Sequence, residues 1–176
     1  KTKKAKCRQH KKVLGRSIEE RPSEVNNREE FGHWETDLVI GSKSGEDNVL
    51  LTLIERKTRE LKEFRLPDKS AESVIAVFQS IRDSLGDRFS DVFKTITTDN
   101  GSEFARLSEL ERGSHTKIYF AHPYSSWEKG SIENHNGLIR RFLRKGKRMD
   151  SYCAEDILAV ELWANGLPRK ILGYRT

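Results

Sequence analysis

The chain is predicted to be an α/β protein with a mixed five-stranded sheet flanked by helices. Three observations lead there. Three β-rich runs follow one another between residues 33 and 66, two more alternate with helical patterns up to residue 121, and helical spacing returns before the end.

Residues 1–30 lack periodicity and carry Arg21-Pro22-Ser23 and Asn26-Asn27, so they read as a basic extended arm, with a core domain over residues 31–176. "HWETDLVIG" (33–41) and "NVLLTLIER" (48–56) are strand-like runs on either side of "SKSGED", and "ELKEFRL" (60–66) alternates apolar with charged residues; together they predict an antiparallel meander. "SAESVIAVFQSIRDSL" (70–85) opens on a Ser cap, places Val74, Val77, Phe78 and Ile81 at helical spacing and stops at Gly86. A fourth strand is expected over 92–98, a helix over about 102–112 and a fifth strand over 117–121. A helix over about 128–145 follows, with Ile132, Ile139 and Leu143 on one stripe and Leu138 and Phe142 beside it. A last helix covers about 153–165.

Composition narrows the class. Hydrophobic content is 35% against 34% charged, and no apolar run approaches the roughly 20 residues that cross a bilayer, so no membrane partner is expected. Cys7 and Cys153 form no C-x-x-C pair, which argues against zinc and for a reducing compartment. The sequence opens on Lys1 and its one methionine is Met149, so a piece of a longer protein is expected. The net charge of +6 is local: residues 1–16 hold eight Lys or Arg and no acid, leaving 25 basic and 27 acidic residues over 17–176. A second basic run, "RRFLRKGKR" (140–148), supplies Arg140, Arg141, Arg144, Lys145, Lys147 and Arg148. These suit phosphate contact, and equally a solvated helix end.

Three acids stand where an acid is costly or well placed. Asp37 lies inside a strand, with Glu35 two residues back on the same face, which leaves open which of them is a ligand. Asp99 ends the fourth strand just before Asn100-Gly101, and Glu133 opens the helix whose same face carries Lys129, Asn136, Gly137 and Arg140. Two strand aspartates and a helix glutamate suit hard divalent cations such as Mg²⁺, two of which can serve phosphodiester displacement. A strand acid paired with a neighbouring cation, a turn aspartate and a surface glutamate account for the same residues, and their pattern leaves both readings open. In the loop between, His122, Tyr124 and Trp127 suit DNA positioning by stacking or phosphate contact, or core packing for the two aromatics. Trp34 and His33 read as structural. Asn134 and Asn136 read as groups that orient Glu133 or touch the DNA backbone, and Lys129 as a further DNA contact.

From Phe31 onward the sequence resembles the DDE transposases of bacterial insertion sequences, IS-thirty family, within the retroviral-integrase superfamily. "EFGHWETDLVIG", "TITTDNGSEFA" and "YFAHPYSSWEKGSIENHNGLIRRF" are similar to the three acid-bearing segments, and "LPRKILGYRT" to the closing element. Asp99 and Glu133 are separated by 33 residues, in keeping with the D-D-E pattern, while Thr36 replaces the small residue usual before the first aspartate. The resemblance implies an RNase H-like fold with Asp37, Asp99 and Glu133 as catalytic metal ligands for Mg²⁺, with Mn²⁺ as a substitute. It further implies cleavage of transposon ends and joining of their 3′ ends to target DNA, a homo-oligomeric active complex, a helix-turn-helix region upstream and a bacterial cytoplasmic, nucleoid-associated location. A nuclease on the same fold and a non-catalytic DNA-binding remnant are the alternatives.

Overall fold

The computed structural model describes residues 13–42, 46–123 and 125–176, but not the side chains of Ser126 and Trp127. Tyr124, the Trp127 indole, Cys7 and the first twelve residues of the predicted basic arm therefore lie outside the described residues. The strands are β1 (Arg16–Ser17), β2 (His33–Ile40), β3 (Val49–Glu55), β4 (Leu61–Leu66), β5 (Thr95–Thr98) and β6 (Lys117–Phe120). The α-helices are α1 (Glu24–Asn27), α2 (Ala71–Leu85), α3 (Phe89–Val92), α4 (Gly130–Ile139) and α5 (Ala154–Asn165).

One mixed sheet runs in the order β1-β6-β5-β2-β3-β4. The meander β2-β3-β4 is antiparallel, whereas β5 pairs parallel with both β2 and β6. The sheet has six strands rather than the predicted five. Arg16 and Ser17, inside the segment read as an arm, pair parallel with Tyr119 and Phe120 along the outer edge of β6. Two residues carry no readable period, so only the free edge of β6 selects them.

β3 lies between two strands and two helical layers, and all seven of its residues are buried. Alternation sorts its neighbours. Leu51 and Leu53 face a core with Val74, Phe78 and Ile96, while Leu50 and Ile54 join Val39, Ile132, Ile139 and Val160 beneath α4 and α5. Trp34 stacks on Phe93 at 4.9 Å and its indole N–H donates to the Val92 carbonyl, while His33 bonds Thr95, so both side chains serve packing.

Two predicted helices differ from the observed chain. Residues 102–112 form two 3₁₀ turns, Ser102–Phe104 and Leu107–Glu111. Phe104, Leu107 and Leu110 are buried at a spacing of three, the period of a 3₁₀ helix rather than of an α-helix. The helix predicted over 128–145 is a 3₁₀ turn, Ser126–Lys129, followed by α4, and it ends at Ile139. Beyond it the chain is drawn back across the end of β2: Gly146 donates to the Gly41 carbonyl at 2.9 Å. A Cβ on Gly41 would lie 2.4 Å from the Lys147 carbonyl oxygen, so this crossing requires glycine.

On the α5 side, the Glu63 backbone N–H donates to Glu161, while both Glu63 carboxylate oxygens are buried without a hydrogen-bond partner among the described residues. Burial, and then the neighbouring Glu161, push the Glu63 carboxyl up to about 8. The folded state therefore holds a proton that the unfolded chain releases at a lower pH, and stability falls as pH rises toward 8. Glu63→Gln is expected to stabilise the fold above pH 8 by on the order of 1 kcal/mol and to change stability little near pH 4.5; melting curves across pH check this as a raised midpoint only at the higher pH.

Candidate active site

β2 and β5 are parallel neighbours with His33 beside Thr95, Trp34 beside Ile96 and Glu35 beside Thr97. Continued two residues further, that register brings Asp37, inside β2, level with Asp99, one residue past the end of β5. Asp37 is 25% exposed and Asp99 43% exposed. Both line a cleft of about 290 Å³ together with Glu133, His122 and Lys129.

Hydrogen bonds hold each aspartate. Asp37 accepts from the Leu38 N–H at 2.9 Å and from the Asn136 amide at 3.0 Å. Thr52, opposite Asp37 on β3, donates to both the Asp37 carbonyl and the Asn136 side-chain oxygen, which fixes the amide's orientation. Asp99 accepts from the Gly101 N–H at 3.0 Å, and a Cβ on Gly101 would lie 2.9 Å from that carboxylate oxygen. The tight turn thus leaves the Asp99 carboxylate room at the strand end.

Glu133 reaches the cleft because α4 is pinned to the sheet. Glu35 is fully buried and paired with the Arg56 guanidinium, and its second oxygen accepts from the Ile132 N–H at 2.8 Å in the first turn of α4. Glu35 and Asp37 do share a face of β2, but Glu35 is committed to this pin and Asp37 faces the cleft. Loss of one partner of a buried pair costs roughly 3–5 kcal/mol. Glu35→Ala is expected to destabilise the fold by about that amount, measured by urea denaturation.

Lys129 was expected among the DNA contacts. Its side chain is 4% exposed and its ammonium sits 3.7 Å from Asp37 and 3.8 Å from Asp99. The pair of acids therefore carries an internal counter-ion. Burial raises the Asp37 carboxyl from its ordinary value; Lys129 opposes this, Asp99 adds to it, the Leu38 N–H lowers it, and Glu133 raises it again. Among the described residues, no group of three or more His, Cys, Asp or Glu side chains is gathered as a metal site. The donors are nevertheless all carboxylate oxygens facing one cleft, chemistry that fits a hard divalent cation taking the ammonium's place. Lys129→Met, which removes that competitor, is expected to tighten Mn²⁺ binding about tenfold, measured by calorimetry.

Of the other predicted residues, Asn136 and His122 stay with the cleft and the basic run does not. His122 bonds Glu128 at 2.8 Å and stands 3.4 Å from Glu19, and Glu128 raises its pKa. Arg140 donates to the carbonyls of Ile40 and Leu143, closing the end of β2. Arg141 and Arg144 border a groove beside Phe142 and Trp163, Lys147 lies over Tyr152, and Arg148 pairs with Asp150. Lys145 is exposed. None of the six cations of the basic run lines the acidic cleft. Sequence reading missed Thr52 and Arg56; the signal for both was a polar side chain inside or just after a run otherwise buried on both faces.

The fold is RNase H-like, as in retroviral integrase cores. A simian T-cell lymphotropic virus intasome in complex with PP2A regulatory subunit B56 gamma matches at a TM-score of 0.60 and 17% identity, over 93% of this chain and 55% of that one. The catalytic core domain of BIV integrase matches at 0.53 and 15% identity, over 80% and 86%. Residues 27–126 match the integrase core domain family, and the chain belongs to it. The matched stretch includes Asp37 and Asp99 and ends before Glu133. A probable transposase for the insertion-like sequence element IS1161 of Streptococcus salivarius is 44% identical over 94% of this chain. The transposase InsI for insertion sequence element IS30C of Escherichia coli is 36% identical over 93% of it. The chain spans 46% and 41% of those two relatives' own length.

Proposed function

We propose that this chain is the catalytic core of a DDE transposase that cleaves transposon-end phosphodiesters and joins the 3′ ends to target DNA. The observation that carries the reading is the parallel pairing of β2 with β5, which sets Asp37 beside Asp99 and opposite Glu133 in one cleft. The transposase relatives support the substrate class. Two divalent cations held by Asp37, Asp99 and Glu133, Mg²⁺ with Mn²⁺ as a substitute, would supply activation of an attacking oxygen and stabilisation of the leaving one.

The chain's own residues prepare that chemistry. Asn136, set by Thr52, fixes one Asp37 oxygen, and the other faces the Lys129 ammonium. Gly101 keeps the Asp99 carboxylate uncovered, and Glu133 stands exposed on the first turn of α4. Lys129 balances two clustered anions, Asp37 and Asp99, the same carboxylates that would hold the cations. Hydroxyl groups of water and of the exposed 3′ end would act in turn as nucleophile, with no covalent protein–DNA intermediate. An active homo-oligomer, an upstream DNA-binding region and a bacterial nucleoid location complete the proposal.

The test is product analysis with a pre-cleaved transposon-end duplex, target DNA and Mg²⁺. Joined strands are expected, with a loss of at least about 10³-fold in Asp99→Asn and Glu133→Gln. Hydrolysis without joining would identify a nuclease instead. DNA binding indifferent to metal and to both substitutions, without either product, would leave a binding module.

A further inference from the structure

A second cavity, of about 420 Å³, lies on the other side of the first turn of α4. Lys129 and Glu133 border the acidic cleft, whereas Gly130, Ser131 and Asn134 border this one. Its other walls bring together Arg28, Arg59, Arg169 and Lys170 from three distant parts of the chain. Arg169 and Lys170 belong to the "LPRKILGYRT" element, to which the acidic cleft assigns no role.

These cations are not neutralised. Among the described residues, none of the four stands within 4.0 Å of a carboxylate. Arg59, 8% exposed, donates to the Ser131 hydroxyl at 2.5 Å, and Arg169 donates to the Ala164 carbonyl at 2.8 Å. The Arg28 Nε is buried without a partner. The nearby Glu35 is already paired with Arg56. Burial, and then the charge of Arg28, lower the Arg59 guanidinium to about 10. His135, on the same wall, is held at about 4 chiefly by burial and adds no charge. Arg28 and Arg59 also take left-handed φ values of 60° and 66°, a conformation that side-chain-bearing residues disfavour. The fold thus holds like charges together at a cost that an anion would relieve.

We propose that this cavity binds a backbone phosphate of the DNA whose neighbouring phosphodiester enters the acidic cleft. The proposal rests on the DNA-processing reading above. Asp37, Asp99 and Glu133 repel a phosphate backbone, so a strand reaching them needs cations alongside. The run 140–148 is turned elsewhere, with Arg140 and Arg148 already engaged. The four-cation cavity, one helical turn from Glu133, supplies that attraction.

The test is fluorescence anisotropy of a labelled duplex bound to this chain in EDTA across a salt series. Each lost phosphate contact lowers the salt slope by about 0.9. Arg28→Gln/Arg169→Gln is expected to lower it by roughly two such steps and to weaken binding at least about tenfold. Lys69→Gln/Arg88→Gln, an equal charge change at exposed positions elsewhere, is the control. Where the first pair does not fold, the exposed Lys170→Gln is expected to lower the slope by one step. A slope equal to that of the control overturns the proposal. Inorganic phosphate that occupies the cavity without competition from the duplex would assign it to free phosphate and overturn it likewise. Because EDTA removes metal chemistry, a control-like slope tells against this cavity only, and absent strand joining with a lowered slope tells against the catalytic reading only.

Discussion

The buried pair of Glu35 and Arg56 is the constraint on which the site depends. Glu35 has no solvent to stabilise its charge, so it must keep both the guanidinium and the Ile132 N–H. That second bond fixes the start of α4 against the middle of β2. Every residue the helix contributes then follows from helical geometry: Lys129 just before it, Glu133 in its first turn and Asn136 one turn on. A hydrophobic contact in the same place would hold the helix without fixing its rotation, because apolar packing is not directional. Two hydrogen-bonded acceptors on one carboxylate do fix it.

Charge is distributed around this pin in opposite senses. On one side of the α4 start, three carboxylates line one cleft and one buried ammonium holds two of them. On the other, four cations gather without acids. A fold that served stability alone would have paired these groups with one another, since the distance between them is a single helical turn. Their separation across α4 creates a steep change in potential over a short path. A polyanion that needs both cations along its backbone and metal ions at its reacting phosphate meets both requirements there.

The basic run after α4 shows how tertiary structure redirects a sequence signal. Six cations in nine residues suggested a phosphate track, yet Arg140 is needed to satisfy the Ile40 carbonyl where β2 ends, and Arg148 is drawn to Asp150. Unpaired backbone carbonyls at a strand end compete for guanidinium groups. The four cations of the second cavity come from three separate places in the sequence, 28, 59 and 169–170.

The sequence by itself determined the order of the five long strands, the helices over 70–85 and 153–165, and the three acids with their spacing. Those features are local: periodicity, turn chemistry and motif residues all act within a few positions. Only the tertiary structure decided that Glu35 is a pin and Asp37 a cleft residue, that Lys129 lies between the aspartates, and that Arg16–Ser17 is a sixth strand. Each of these depends on which distant group fills a buried valence or a free strand edge, and a linear pattern carries no record of that distance.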